Sequence, residues 1–222
     1  MINNTLDLML KAFSALAYLS FFSPLIPISI GVYKFRSEGQ GVKLIIYLLS
    51  FGFIIDLFTL WPVLGYKIIP LFSRLYVLVE FIMILFIFSL WHSSKRVHKI
   101  KWYMMGTFLL FWISATLTFE PFNTPCIITA AVSRIILILA AAYTLFIVFE
   151  NSDRSLLKNY KFWILLSFIF NFAGTLLPII FEGVLFGHSR ELLYMAWSIT
   201  WFLTITSNVL FTVGFLCPQT QT

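Results

Sequence analysis

Residues 126–149 read CIITAAVSRIILILAAAYTLFIVF, and Arg134 is the single charged side chain in this run. A helix needs about 20 consecutive apolar residues to cross the hydrocarbon core of a bilayer. A helix also pairs its backbone polar groups within the segment, as hydrocarbon requires. The run therefore predicts a transmembrane helix that carries one cation in its interior.

Comparable apolar runs recur along the whole chain. Of its 222 residues, 60% are hydrophobic and 11% are charged, whereas about 25% are charged in an average soluble domain. This composition excludes a water-soluble core. We therefore predict an all-α polytopic membrane protein, with one transmembrane domain over residues 1–222. Its seven transmembrane helices are predicted at about 12–33, 44–62, 71–91, 102–119, 126–149, 162–181 and 192–216.

Basic residues are distributed unequally between the two sets of loops. The side opposite to the basic loops has only Lys11, Lys67 and Arg190 outside the spans. The loops after spans one, three and five contain Lys34, Arg36, Lys43, Lys95, Arg96, Lys99, Lys101, Arg154, Lys158 and Lys161. The positive-inside rule makes these loops cytoplasmic. We expect an outside N-terminus, an inside C-terminus and a location in the plasma (inner) membrane.

The net charge of +6 raises the alternative of a nucleic-acid partner, because basic patches bind phosphate. The densest patch, a cytoplasmic basic loop of Lys95, Arg96, Lys99 and Lys101, lies beside a membrane end, where anionic lipid headgroups are expected. We therefore expect anionic lipids at the cytoplasmic face and no nucleic acid. A specific protein partner at this loop, or a homo-oligomer, is the alternative.

A short internal similarity suggests a repeat. LLSFGF at 48–53 in span two matches LLSFIF at 165–170 in span six. The same offset brings span one near span five and span three near span seven, with span four as a linker. The sequence thus suggests a three-plus-one-plus-three plan with parallel repeats.

An ionisable residue inside a span is a functional hypothesis by default, because burial in hydrocarbon costs several kcal/mol. Four such residues stand out, and one of them, Glu182, is at a helix end. Asp56 in span two, Glu80 in span three and Arg134 in span five all fall in the outer half of the bilayer. Tyr76 shares the helix face of Glu80. Two acids facing one Arg leave a surplus negative charge, which suits a cation, a proton or an amine.

Span seven adds Trp197, Trp201 and Asn208 along one face. Together with the three charges they could line one water-accessible ligand or ion pocket. The alternative is structural: Arg134 pairs with an acid to lock helices together, and Asn208 hydrogen-bonds between helices.

Proline residues predict two kinks. Pro24 and Pro27 in span one free backbone carbonyls, which either coordinate an ion, as in some transporters, or are satisfied by Ser23 or Ser29 in a packed kink. Pro178 with Gly174 predicts a second kink in span six.

Several catalytic classes lack their motifs. The sequence contains no HExxH, GxSxG, P-loop or paired CxxC pattern. Cys126 and Cys217 fall at helix ends on opposite predicted faces, which excludes a disulfide between them. We expect no enzyme activity, no catalytic residues, no metal and no cofactor.

The plan of seven spans with an outside N-terminus is that of microbial rhodopsins, but residues 192–222 contain no lysine for a retinal Schiff base. The chain is more similar to a group of small, uncharacterised seven-helix proteins of Bacteroides- and Flavobacterium-type bacteria. The similar segments are LYVLVEF at 75–81, FW at 162–163, FAGTL at 172–176 and SNVLFTVGF at 207–215. This resemblance implies a membrane fold and brings no activity with it.

The leading functional hypothesis is a small-solute or ion transporter that uses Asp56, Glu80 and Arg134, because transmembrane helices alone can perform transport. One alternative is a membrane sensor or accessory subunit that acts through a separate partner. Another is an oligomeric channel or membrane effector.

Overall fold

A computed structural model describes residues 13–36, 38–59, 65–92, 94–122, 124, 126–151, 156–185 and 190–217. Within these ranges, the side chains of residues 59, 65–69, 177, 180–185 and 190–194 are not described. Lys11 and Arg154, two of the basic residues from which the membrane orientation was predicted, lie outside the described residues. The side chains of Lys67 and Arg190 also lie outside them.

The described chain is helical throughout and contains no strand, which confirms the all-α prediction. α1 is interrupted by a turn at residues 23–24 and resumes as Leu25–Lys34. A short 3₁₀ turn, Leu156–Lys158, precedes α6. The seven long helices of the described residues are α1 (Phe13–Lys34), α2 (Gln40–Thr59), α3 (Gly65–Leu90), α4 (Lys95–Thr118), α5 (Ile127–Glu150), α6 (Tyr160–Leu185) and α7 (Arg190–Leu216).

Six of these helices are long and apolar enough, over their described residues, to cross a membrane. They are α1 to α5 and α7. α6 is apolar over Tyr160–Leu176 and continues as a helix to Leu185. Six helices of this kind indicate an integral membrane protein.

The beginning of α4 differs from the predicted span. The apolar run begins at 102, but the helix begins at Lys95. The basic residues Lys95, Arg96, Lys99 and Lys101 therefore lie on the first turns of α4, and not in a loop. Lysine and arginine favour helix and can extend charged ends from an apolar stem, so the helix begins before its apolar part.

The helix contacts form a closed circuit. α1 packs on α2, α2 on α3, α3 on α5, α5 on α6, α6 on α7, and α7 returns to α1. α4 packs against α3 and more sparsely against α5. Stacked and edge-on phenylalanines fill the interior, and Phe168 contacts Phe88, Phe172 and Phe211 from three helices.

α6 and α7 pack more extensively than any other pair. Ser167 Oγ donates to the carbonyl of Ser207 at 2.6 Å, and Ser207 Oγ donates back to the carbonyl of Ser167 at 3.0 Å. Further along the seam, a Cβ added to Gly174 would lie 2.7 Å from Leu203 Cβ. Small and hydroxyl residues let the two backbones approach closely, as in other membrane helix pairs.

The kink in α1 is held by side chains. Pro24 has no N–H, so the carbonyl of Ser20 loses its helical donor. Ser23 Oγ donates to that carbonyl at 2.7 Å, and Asn208 Nδ2 on α7 donates to Ser23 Oγ at 2.7 Å. The packed-kink interpretation of Ser23 is confirmed.

Pro178 creates the same deficit in α6, because it deprives the carbonyl of Gly174 of a donor. The helix continues through Pro178, and Thr200 Oγ1 on α7 donates to the Gly174 carbonyl at 2.9 Å. The carbonyl that Pro178 leaves without a donor thus accepts a hydrogen bond that joins α6 to α7.

We predict that Gly174→Ala destabilises the protein by about 1–3 kcal/mol, because the added methyl overpacks the seam against Leu203. Gly106→Ala is the matched control, since a Cβ at Gly106 meets nothing within 4 Å. The free energy of unfolding of the two purified variants in detergent checks this. Equal stability of Gly174→Ala and the wild type would contradict the close approach of α6 and α7.

Candidate functional site

A buried ion pair joins α3 to α5. Arg134 donates through one terminal guanidinium nitrogen to Oε2 of Glu80. Glu80 is 2% exposed and Arg134 7% exposed. Each charge would be costly alone in an apolar interior, so each neutralises the other.

Tyr76 extends the pair toward α2. Its hydroxyl donates to Oε1 of Glu80 at 3.2 Å. Its ring stacks on Phe51 with 6.0 Å between centroids. A Cβ on Gly52 would lie 3.0 Å from the Tyr76 hydroxyl, so the absence of a side chain at Gly52 makes room for the phenol.

Asp56 belongs to the same cluster. Its carboxylate interacts electrostatically with that of Glu80, and both interact with Tyr76. Asp56 is exposed on the surface of α2, whereas Glu80 is buried. The structure joins Tyr76, Glu80 and Arg134 by direct contacts, and Asp56 is close enough to interact with the Glu80 carboxylate. We call these four residues the polar cluster, which contains two acids and one base.

The polar cluster retains unused hydrogen-bonding capacity. The guanidinium of Arg134 lies 5.1 Å from the ring centroid of Phe172, which forms one wall. Within the described part of the chain, Arg134 Nε and the adjacent Ser133 Oγ are buried without a hydrogen-bond partner. Buried donors of this kind ordinarily find a partner, so Arg134 and Ser133 could each make one further hydrogen bond.

Of the three predicted residues of span seven, Asn208 has a partner outside this cluster. Asn208 is bonded to Ser23 of α1. Trp197 and Trp201 are half-buried on α7, and the contacts known for the described residues do not join them to the cluster. The charges on α2, α3 and α5 form one group, and a pocket that they share with Trp197 and Trp201 stays a prediction.

Arg74 is a buried cation that our sequence analysis missed. It is 0% exposed and donates to Thr116 Oγ1 at 3.0 Å and to three carbonyls beyond the end of α4. These carbonyls belong to Glu120, Pro121 at 3.1 Å and Thr124 at 3.2 Å. A signal was present, because Arg74 interrupts the apolar run 71–91 as plainly as Glu80 does.

Glu120 continues this arrangement into α5. Its carboxylate accepts from the backbone N–H of Ile128 at 2.5 Å and from the N–H of Thr129 at 3.4 Å. A carboxylate at a helix N-terminus satisfies unpaired donors and complements the helix dipole. Arg74 and Glu120 together fix the start of α5, and thereby the helix that carries Arg134.

Metal ligation has no support among the described residues, where no group of three or more His, Cys, Asp or Glu side chains could hold an ion. Comparison of the chain with protein-family models, curated proteins and solved structures finds no match.

We predict that Arg134→Met destabilises the protein by about 3–5 kcal/mol, because it leaves the Glu80 carboxylate buried without its cation. The double variant Glu80→Leu/Arg134→Met should recover most of this loss, since an apolar pair of similar volume replaces the ion pair. Unfolding in detergent measures both effects. Arg96→Met, at an exposed position on α4, is the control for loss of an arginine, and additive losses in the double variant would disprove the coupling.

Proposed function

We propose that this protein is a small-solute or ion transporter of the plasma (inner) membrane, and that its pathway uses the polar cluster of Asp56, Glu80 and Arg134. The observation that carries the proposal is the electrostatic coupling of a second carboxylate, Asp56, to the buried Glu80–Arg134 pair. A purely structural lock needs one acid for one base. A second acid within range gives the cluster two alternative charge states.

The charges define the class of cargo. Two carboxylates and one guanidinium carry a formal surplus of one negative charge when all are ionised. A proton, a small inorganic cation or a protonated amine would neutralise it. Anionic cargo is disfavoured by the same surplus.

The exposure of Asp56 supports an aqueous route to the cluster. Asp56 lies on α2, which is apolar enough to cross a membrane, yet it is exposed. A carboxylate facing hydrocarbon costs several kcal/mol. We infer that water reaches α2 on this side, and that cargo enters by the same route.

Cargo binding would then act on the contact between α3 and α5. A proton on Glu80, or a cation shared between Glu80 and Asp56, weakens the hold of Glu80 on Arg134. Arg134 Nε has no hydrogen-bond partner, so the guanidinium can form another hydrogen bond when its ion pair with Glu80 weakens. Release of α3 from α5 is the conformational step of the proposed cycle.

The proposal includes the predicted orientation of the chain in the membrane. The cluster lies in the outer half of the membrane, the N-terminus is outside, and the basic turns of α4 are cytoplasmic. The parallel repeat of three helices on either side of α4 stays a prediction.

We predict that the purified protein in liposomes dissipates a proton, sodium or amine gradient, and that Asp56→Asn lowers the rate at least about tenfold. The loss is expected because Asp56→Asn removes the surplus negative charge that attracts the cation, and intramembrane carboxylates mark ion pathways. A pH-sensitive dye in the lumen measures proton flux, and radiolabelled sodium or methylamine measures the other two. Glu150→Gln, which neutralises an exposed carboxylate at the end of α5, is the matched control and should transport like the wild type.

The result that contradicts transport is the absence of flux for all three probes in wild-type liposomes. Such a result favours the sensor or accessory-subunit hypothesis, in which the exposed Lys95, Arg96 and Lys99 engage a partner. Flux that is unchanged in both Asp56→Asn and Glu80→Gln would retain transport but remove the polar cluster from its pathway.

We predict that a membrane-impermeant maleimide labels Phe119→Cys, and not Lys99→Cys, in intact cells. Both positions are exposed, and they lie near opposite ends of α4. The background is Cys126→Ala/Cys217→Ser, which removes the two native thiols. Labelling after permeabilisation shows that both sites are reactive, and the reverse pattern in intact cells would overturn the proposed orientation.

A further inference from the structure

A cavity of about 380 Å³ lies between α3, α4 and α5, near the ends joined by the turn between α3 and α4. The polar cluster does not line it. Its volume falls within the range of about 300–1,000 Å³ that is typical of ligand pockets. The cavity is therefore large enough to hold a ligand of its own.

The lining changes in character along the cavity. Ser89 and His92 lie at the end of α3, and Lys101 on the early turns of α4. Leu85 and Met104 lie further along the same helices, away from that end. A charged end near the helix termini and an apolar end deeper in the bundle match the two ends of a membrane lipid.

Lys101 is the strongest recognition element. It is 6% exposed, Nζ donates to Ser89 Oγ at 3.0 Å, and Nζ lies 4.5 Å from the ring centroid of Phe86. The ion pairs found among described residues do not include Lys101. A buried ammonium without a counter-ion is costly, so an anion from outside the chain fits here.

His92 supports this assignment by remaining neutral. Its Nε2 lies 3.2 Å from Thr144 Oγ1. Burial, together with the nearby His98 and Lys161, lowers the pKa of His92 below the usual range. His92 therefore offers a hydrogen bond, and Lys101 alone supplies the cationic charge.

A second cavity, of about 250 Å³, continues the first toward the middle of α4. Both are lined by Met104 and Ile136, and the second reaches Phe108 and Phe111. The two cavities follow the seam where α4 packs only sparsely on α5. They form an apolar track that leads away from Lys101.

We propose that this track is a specific site for an anionic phospholipid, with the headgroup phosphate on Lys101 and one acyl chain along the seam between α4 and α5. Basic pockets between transmembrane helices bind acidic headgroups, and the surrounding membrane supplies the ligand. The site requires only that the chain lies in a membrane and does not depend on transport.

Native mass spectrometry of the purified protein with added phosphatidylglycerol tests the site. We expect Lys101→Gln to weaken binding about tenfold, the usual cost of losing a charge-assisted hydrogen bond, and Lys101→Arg to retain most of it. Lys99→Gln makes the same charge change at an exposed position and should bind like the wild type. Ala140→Phe should block the track, whereas Ala142→Phe, which lines a different cavity, should not.

Three ligand comparisons separate the occupants. Phosphatidylcholine with the same chains should bind at least about tenfold more weakly, because its choline cation offsets the charge of the phosphate and repels Lys101. Tighter binding of oleate than of phosphatidylglycerol would overturn the proposal in favour of a free fatty acid. Equal losses in Lys99→Gln and Lys101→Gln, at unchanged unfolding temperature, would overturn it in favour of diffuse surface attraction.

Discussion

Hydrocarbon supplies no hydrogen bonds, so the backbone polar groups that this chain carries into the membrane need partners inside the protein. Prolines test the rule most directly. Ser23 satisfies the carbonyl freed by Pro24, and Thr200 satisfies the one freed by Pro178. In both cases the partner also ties one helix to another, through Asn208 for α1 and through the seam of α6 and α7. The two prolines therefore mark points where neighbouring helices are joined.

Three cations are buried among the described residues, and they differ in their partners. Arg74 is surrounded by backbone carbonyls, whose positions are fixed by the chain. Arg134 is paired with a carboxylate, which a proton or a cation can remove. Lys101 has a single hydroxyl acceptor and two aromatic rings, those of Phe86 and Trp102. The fixed partners of Arg74 suit a structural role. The exchangeable partner of Arg134 suits the proposed transport cycle, and the lack of an anionic partner at Lys101 suits the proposed lipid.

Arg74, Glu80 and Arg134 are connected through two helices. Arg74 and Glu120 hold the beginning of α5, which sets the level at which Arg134 meets Glu80 on α3. The lipid track lies along α5 too, since Ile136 lines it. A lipid in the track would therefore contact the two helices, α3 and α5, that the ion pair joins.

The sequence by itself determined that this protein lies in a membrane and is helical, because apolar runs of about 20 residues are stable in a bilayer as helices. It also identified Asp56, Glu80 and Arg134 as charges that need a partner or water, because a charged residue type in an apolar run is visible in the sequence. Only the tertiary structure decided their partners. Helix rotation and tilt bring Glu80 to Arg134, send Asn208 to Ser23, and bury Lys101 beside a cavity, and these depend on packing between segments far apart in the chain. No periodicity within one helix contains that information.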